Sequence, residues 1–98
     1  MVSTTEKITI KKLKGAINYE VWALRTDAYL TKEKLKGAIK DSNNIDPDIN
    51  DHAIASIKLL VEDRPLLQIQ YITSTREAWN LLKNLYNSKG FTSKFLIY

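Results

Sequence analysis

One histidine, a close set of aspartates and two lysine-rich stretches are the residues whose types could do chemistry here. His52 follows Asp51, but a nucleophilic triad needs a nucleophile held at hydrogen-bond distance, and adjacency in sequence does not supply one. His52 therefore reads as an exposed helical residue. One histidine without any cysteine excludes the usual zinc and copper donor sets, a thiolate nucleophile and a disulfide scaffold. Asp46, Asp48 and Asp51 lie close together. A calcium loop would also need a central glycine and a closing glutamate, and this stretch has neither. Acids that open a helix explain it better. There is no glycine-rich phosphate loop and no Gly-x-Ser-x-Gly elbow. The chain is expected to be non-enzymatic, with no catalytic residue, metal, cofactor or small-molecule substrate.

Lys7, Lys11, Lys12, Lys14, Lys32, Lys34, Lys36 and Lys40 could meet phosphates, and Lys11, Lys12 and Lys14 are the candidate nucleic-acid contacts. Lysines with no adjacent arginine or exposed aromatic ring give charge without base readout. The net charge of +4 is unevenly spread. Residues 1–40 hold nine basic and four acidic side chains, residues 41–65 two and six, and residues 66–98 four and one. A basic head beside an acidic middle would let copies attract one another, although solvated helix faces give the same pattern. Trp22, Tyr29, Trp79 and Tyr86 recur at helical spacing among leucine and isoleucine. That favours a core over a ligand cage.

The elements that must position these residues follow from periodicity and punctuation. The 98 residues suit one domain with one modest core, and only 3 Gly and 2 Pro disfavour a turn-rich β fold. Residues 7–13 alternate around Ile8 and Ile10 and read as a short extended segment. Gly15 marks a turn. Asn18 is placed to cap a helix over about Tyr19–Leu30, with Tyr19, Trp22, Thr26, Tyr29 and Leu30 inward and Val21, Leu24 and Ala28 widening the stripe. Residues 31–40 form a second short helix or a turn ending near Gly37, and residues 41–46 a loop. Asp46-Pro47 opens a helix to Val61 whose buried stripe is Ile49, Ala53, Ile57, Leu60 and Val61.

Asp63-Arg64-Pro65 interrupts that helix and starts another through Leu66, Leu67, Ile69 and Tyr71-Ile72. Ser74-Thr75-Arg76-Glu77 is a capping box, followed by Ala78, Trp79, Leu82, Leu85 and Tyr86 on one face. Gly90 suits a left-handed stop. Phe95-Leu96-Ile97-Tyr98 reads as a further helix cut short, as in a fragment of a longer polypeptide. The expected fold is an all-α bundle of four to five helices with a short extended N-terminal segment. No stretch has the apolar length of a membrane span and the first residues lack the core of a signal peptide, so no membrane partner and a cytoplasmic location are expected.

Two motifs point to a family. The first is Leu13-Lys14-Gly15-Ala16-Ile17-Asn18-Tyr19-Glu20-Val21-Trp22, followed by Leu30. The second is Ile72-Thr73-Ser74-Thr75-Arg76-Glu77-Ala78-Trp79-Asn80-Leu81-Leu82, followed by Tyr86, with the alanine and isoleucine helix Ala53-Ile54-Ala55-Ser56-Ile57 between them. In this order they resemble the Gag capsid region of copia-type long-terminal-repeat (LTR) retrotransposons over about residues 8–98. Thr75 stands where the family often has alanine, Ala16-Ile17 adds a residue to the first motif, and the downstream Cys/His zinc knuckle is absent.

The resemblance implies a single Gag-like capsid domain over residues 1–98, the N-terminal lobe of a longer chain. Its function would be self-association into a virus-like particle around RNA. It also assigns Tyr19, Trp22, Leu30, Ala78, Trp79, Leu82 and Tyr86 to the fold core. Its partner would be further copies of itself, with RNA bound through basic residues or a downstream region. Two other readings stand beside it: a nucleic-acid-binding domain using the lysine-rich head, and a domesticated helical adaptor for one host protein.

Overall fold

Tyr19, Trp22, Thr26 and Leu30 recur every three or four residues, and they are the buried side of the first helix, α1, Tyr19–Lys32. The computed structural model describes residues 9–40 and 45–87. Four more helices follow: α2 Gly37–Lys40, α3 Pro47–Leu59, α4 Asp63–Ile69 and α5 Thr75–Tyr86. The fold is all-α, with five α-helices and no strand longer than one bridge among the described residues. The central element is α5, which packs on α2, α3 and α4 and on the turn before α1. Its buried residues Thr75, Ala78 and Leu82 face a core that includes Leu13, Trp22, Leu30, Ala53, Ile57, Val61 and Ile69.

The extended N-terminal segment is real where it is described. Leu13 is fully buried and forms a parallel bridge with Val61. Its N–H donates to the Leu60 carbonyl at 3.0 Å, and its own carbonyl accepts from Glu62 N–H at 2.8 Å. Ile8 lies outside the described residues. A 3-10 turn, Ala16–Asn18, then leads into α1. Asn18 stands at the cap position but does not cap the helix with its side chain. Its Oδ1 accepts from Lys14 N–H at 2.8 Å and its Nδ2 donates to the Lys12 carbonyl at 3.0 Å. Asn18 thus fastens the extended segment to the turn, a competing use of a short amide side chain.

Residues 31–40 do contain a second short helix, but Gly37 opens it, as α2, instead of ending the segment, and α1 runs to Lys32, past the expected Leu30. The stop for α1 comes at Lys34, which takes a left-handed φ of 63°. Leu35 N–H donates to the Leu30 carbonyl at 2.7 Å, and Lys34 N–H to the Thr31 carbonyl at 3.0 Å. These bonds are the paired 6→1 and 5→2 closures of a Schellman motif, with Leu30 and Leu35 as its apolar pair. A lysine does here what glycine usually does, which is why the sequence hid the stop.

Asp46 and Pro47 begin α3 as expected, with Asp46 Oδ1 accepting from Asp48 N–H at 2.8 Å. The helix ends at Leu59, two residues short of the expected Val61. Leu60 and Val61 leave it to meet Leu13. Pro65 is the third residue of α4, inside the first turn where a missing N–H costs little. Only seven residues long, α4 ends at Ile69 and turns Ile69 inward. The helix stops before Tyr71 and Ile72, which were expected to belong to it, and Leu67 and Tyr71 are 62% and 88% exposed.

Ser74 caps α5 by accepting from Glu77 N–H at 3.3 Å. In the last turn Tyr86 rather than Leu85 faces inward. Leu85 is exposed, Leu81 and Tyr86 pack on the core, and the Tyr86 ring lies beside Gly15. Gly90, residues 41–44 and the expected helix at Phe95–Tyr98 lie outside the described residues.

The left-handed Lys34 gives a signed test. Lys34→Gly removes the steric penalty of a side chain at positive φ, of roughly 1 kcal/mol. The variant should be more stable than the parent by about that amount in urea titration. A loss of stability would mean that the lysine side chain, and not the backbone turn, closes α1.

Candidate functional site

The histidine, the aspartates Asp46, Asp48 and Asp51 and the lysines Lys11, Lys12 and Lys14 lie on exposed surface. His52 is exposed on α3, and Ser56 Oγ, one turn on, donates to the His52 backbone carbonyl at 2.9 Å. Asp46 is occupied in capping, and Asp48 and Asp51 are exposed. Among the described residues no three histidines, cysteines or acids come together as a metal site, and no helix is long and apolar enough to cross a membrane. Lys11, Lys12 and Lys14 are exposed along the segment that carries buried Leu13.

Of the four aromatic residues that could have formed a cage, Trp22 and Trp79 are in ring contact, and Tyr19 joins them. Tyr19 and Trp22 have ring centroids 5.9 Å apart, and Trp22 and Trp79 5.6 Å apart. The Trp22 indole N–H donates to the Leu60 carbonyl at 2.8 Å. The contact between Trp22 and Trp79 joins α1 to α5. Tyr19, Trp22, Leu30, Ala78 and Leu82 are buried, while Trp79 and Tyr86 are half-buried and packed on the core, as is Tyr29. Beside the stack, buried Thr26 Oγ1 has no hydrogen-bond partner, a local cost of about 1–3 kcal/mol.

A second junction was not visible in the sequence. Asn50, near the start of α3, holds the start of α5. Its Oδ1 accepts from Thr75 N–H at 2.9 Å, and its Nδ2 donates to the Thr73 carbonyl at 2.8 Å. Thr75 Oγ1 lies 2.8 Å from that Oδ1 and 2.9 Å from the Asn50 carbonyl. Thr75 is buried, so these bonds satisfy a hydroxyl that would otherwise be orphaned. The only sequence signal was the departure from alanine at Thr75.

What the fold leaves available is apolar surface. Val21, Leu24 and Ala28 do not widen the core stripe of α1. They are exposed on its outer side, with Val21 and Leu24 at 55% and 67%. Ile17, in the turn just before, is 90% exposed. The reason is angular: at about 100° per residue, Leu24 lies on the far side of the helix from Trp22. Leu59, Leu67 and Tyr71 expose a separate apolar set. No family model, curated protein or solved structure matches this chain.

Burial raises the Tyr19 hydroxyl above its ordinary pKa of 10.0. The folded state therefore holds this proton more tightly than the unfolded chain does. Its contribution to stability is complete below pH 10 and is lost as pH rises through the folded value. In urea titrations across pH 8–12, the parent should lose stability relative to Tyr19→Phe above about pH 10. Parallel curves for the two proteins would show that Tyr19 ionises as freely in the fold as outside it.

Proposed function

We propose that this chain is a Gag-like capsid domain that self-associates to build a retrotransposon particle shell. The observation that carries the reading is where the two resemblance motifs meet. Trp22 of the first stacks on Trp79 of the second with centroids 5.6 Å apart, and the alanine and isoleucine helix between them supplies buried Ala53, Ile54 and Ile57. The motif residues thus pack into one structural unit, which supports reading the two motifs together. A helical domain with no catalytic constellation among its described residues, and with large apolar side chains left outside its core, also suits a module whose task is to bind copies of itself. Individual contacts between capsid lobes are expected to be weak, and many copies acting together give the particle its stability.

Exposed Lys11, Lys12 and Lys14 support a second reading, in which the N-terminal segment contacts RNA phosphates. The two readings differ in salt response. Phosphate binding weakens linearly in log–log with salt, while apolar contact does not.

Light scattering behind size exclusion, over a wide range of protein concentration and at two salt concentrations, tests the first reading. The expected result is a weight-average mass that grows with concentration and persists at high salt. A mass fixed at the monomer value up to millimolar concentration would contradict it.

A further inference from the structure

Deepening the self-association reading, on which it rests, we infer that a second copy of this chain docks on the outer face of α1, the two helices pairing in parallel about a two-fold axis. Within α1 the exposed apolar residues Val21, Leu24 and Ala28 are spaced three and four apart, and exposed Ile17 precedes them in the 3-10 turn. That is the alternation of a and d positions in a heptad repeat, with Val21 and Ala28 at a and Leu24 at d. The core residues Tyr19, Trp22, Thr26 and Leu30 fall at the other positions, so α1 has one side facing its own domain and a heptad seam facing outward. A β-branched residue at a with leucine at d, as at Val21 and Leu24, is the combination that favours two parallel strands.

Charge selects the partner and its direction. The g positions beside this seam are Glu20 and Asp27, both acidic, and the e positions that follow them are Arg25 and Lys32, both basic. In a parallel pair each g residue lies beside the e residue of the next heptad on the other helix. Glu20 then faces the partner's Arg25, and Asp27 faces the partner's Lys32. In an antiparallel pair g faces g and e faces e, which sets acid against acid and base against base. Asp27 already pairs with Lys36 at 3.0 Å, and Lys32 with Glu33 at 3.4 Å. Contacts across the seam extend these pairs without breaking them, because all four side chains keep a substantial part of their surface in solvent. The seam is short, about 10 Å from Val21 to Ala28 along the helix axis, so one pair of domains associates weakly.

The absence of native cysteine makes the geometry directly testable in the full chain. In a parallel pair, d residues meet their own equivalents. Leu24→Cys should therefore form a disulfide-linked dimer under mild oxidation, and Leu67→Cys, which is about as exposed, should not. An acidic variant (R25E, K32E) and a basic variant (E20K, D27K) should each associate about tenfold more weakly than the parent, and mixing them should restore a one-to-one dimer. Circular dichroism melts of each variant establish that it is folded. Crosslinking of the Leu67→Cys variant but not of the Leu24→Cys variant would overturn the proposal while leaving self-association intact. So would crosslinking only between Val21→Cys and Leu24→Cys chains, the antiparallel pattern. A monomeric Leu24→Cys variant whose new thiol resists a thiol reagent would place another part of the same chain on the seam and also overturn it. Self-association absent from the parent at every concentration would remove both this proposal and the reading beneath it.

Discussion

The Leu60 carbonyl accepts two hydrogen bonds, one from Leu13 N–H at 3.0 Å and one from the Trp22 indole at 2.8 Å. A carbonyl oxygen has two lone pairs, and both are used here by groups from different parts of the chain. Had α3 continued past Leu59, that oxygen would have accepted an amide four residues on. Its capture ends the helix, turns Val61 toward Leu13 and sets the angle at which α4 departs. It also fixes the ring of Trp22, against which Tyr19 and Trp79 stack. The N-terminal segment, α1, the α3–α4 break and α5 are thereby joined within one small volume. In a domain of this length, where net stability is the narrow difference of large terms, such a junction is a large share of what holds the fold.

The parts of this architecture that were legible in the sequence are those fixed by local chemistry. Asp46-Pro47, Pro65 and the Ser74 cap each act within one turn of helix, and each begins a helix where expected. The parts that were not legible depend on residues distant in sequence. Asn18 has the chemistry of a helix cap, yet its side chain is drawn to Lys12 and Lys14. Leu60 and Val61 fit the stripe of α3 but are drawn out of it by Leu13. Lys34 adopts a backbone conformation that lysine carries no sign of, and the stop of α1 at Lys32, two residues past the expected Leu30, goes with it. Leu67, Tyr71 and Leu85 satisfy helical periodicity but have no partner opposite them, because periodicity says which residues share a face and not which face is covered.

Helix α1 shows the same distinction with a functional consequence. Its sequence contains two interleaved apolar stripes, and a single sequence cannot say that only one is used for folding. Tyr19, Trp22 and Leu30 are spent inside the domain, while Val21 and Leu24 remain outside. Large apolar side chains kept in water have an energetic cost that contact with another surface relieves. In the proposed pairing, the acidic and basic residues along that outer stripe give the contact its direction. Under the proposed self-association, one fourteen-residue helix serves both as a wall of the core and as a surface for assembly.

Amide hydrogen exchange at Leu13 tests the central junction most directly. If the Leu60 carbonyl holds the N-terminal segment to the core, the Leu13 amide opens only when the whole domain unfolds. Its protection should then match that of Leu82 in the middle of α5. A Leu13 amide that exchanges orders of magnitude faster than Leu82 would show that the segment detaches while the helices remain packed, and that the fold does not depend on this junction.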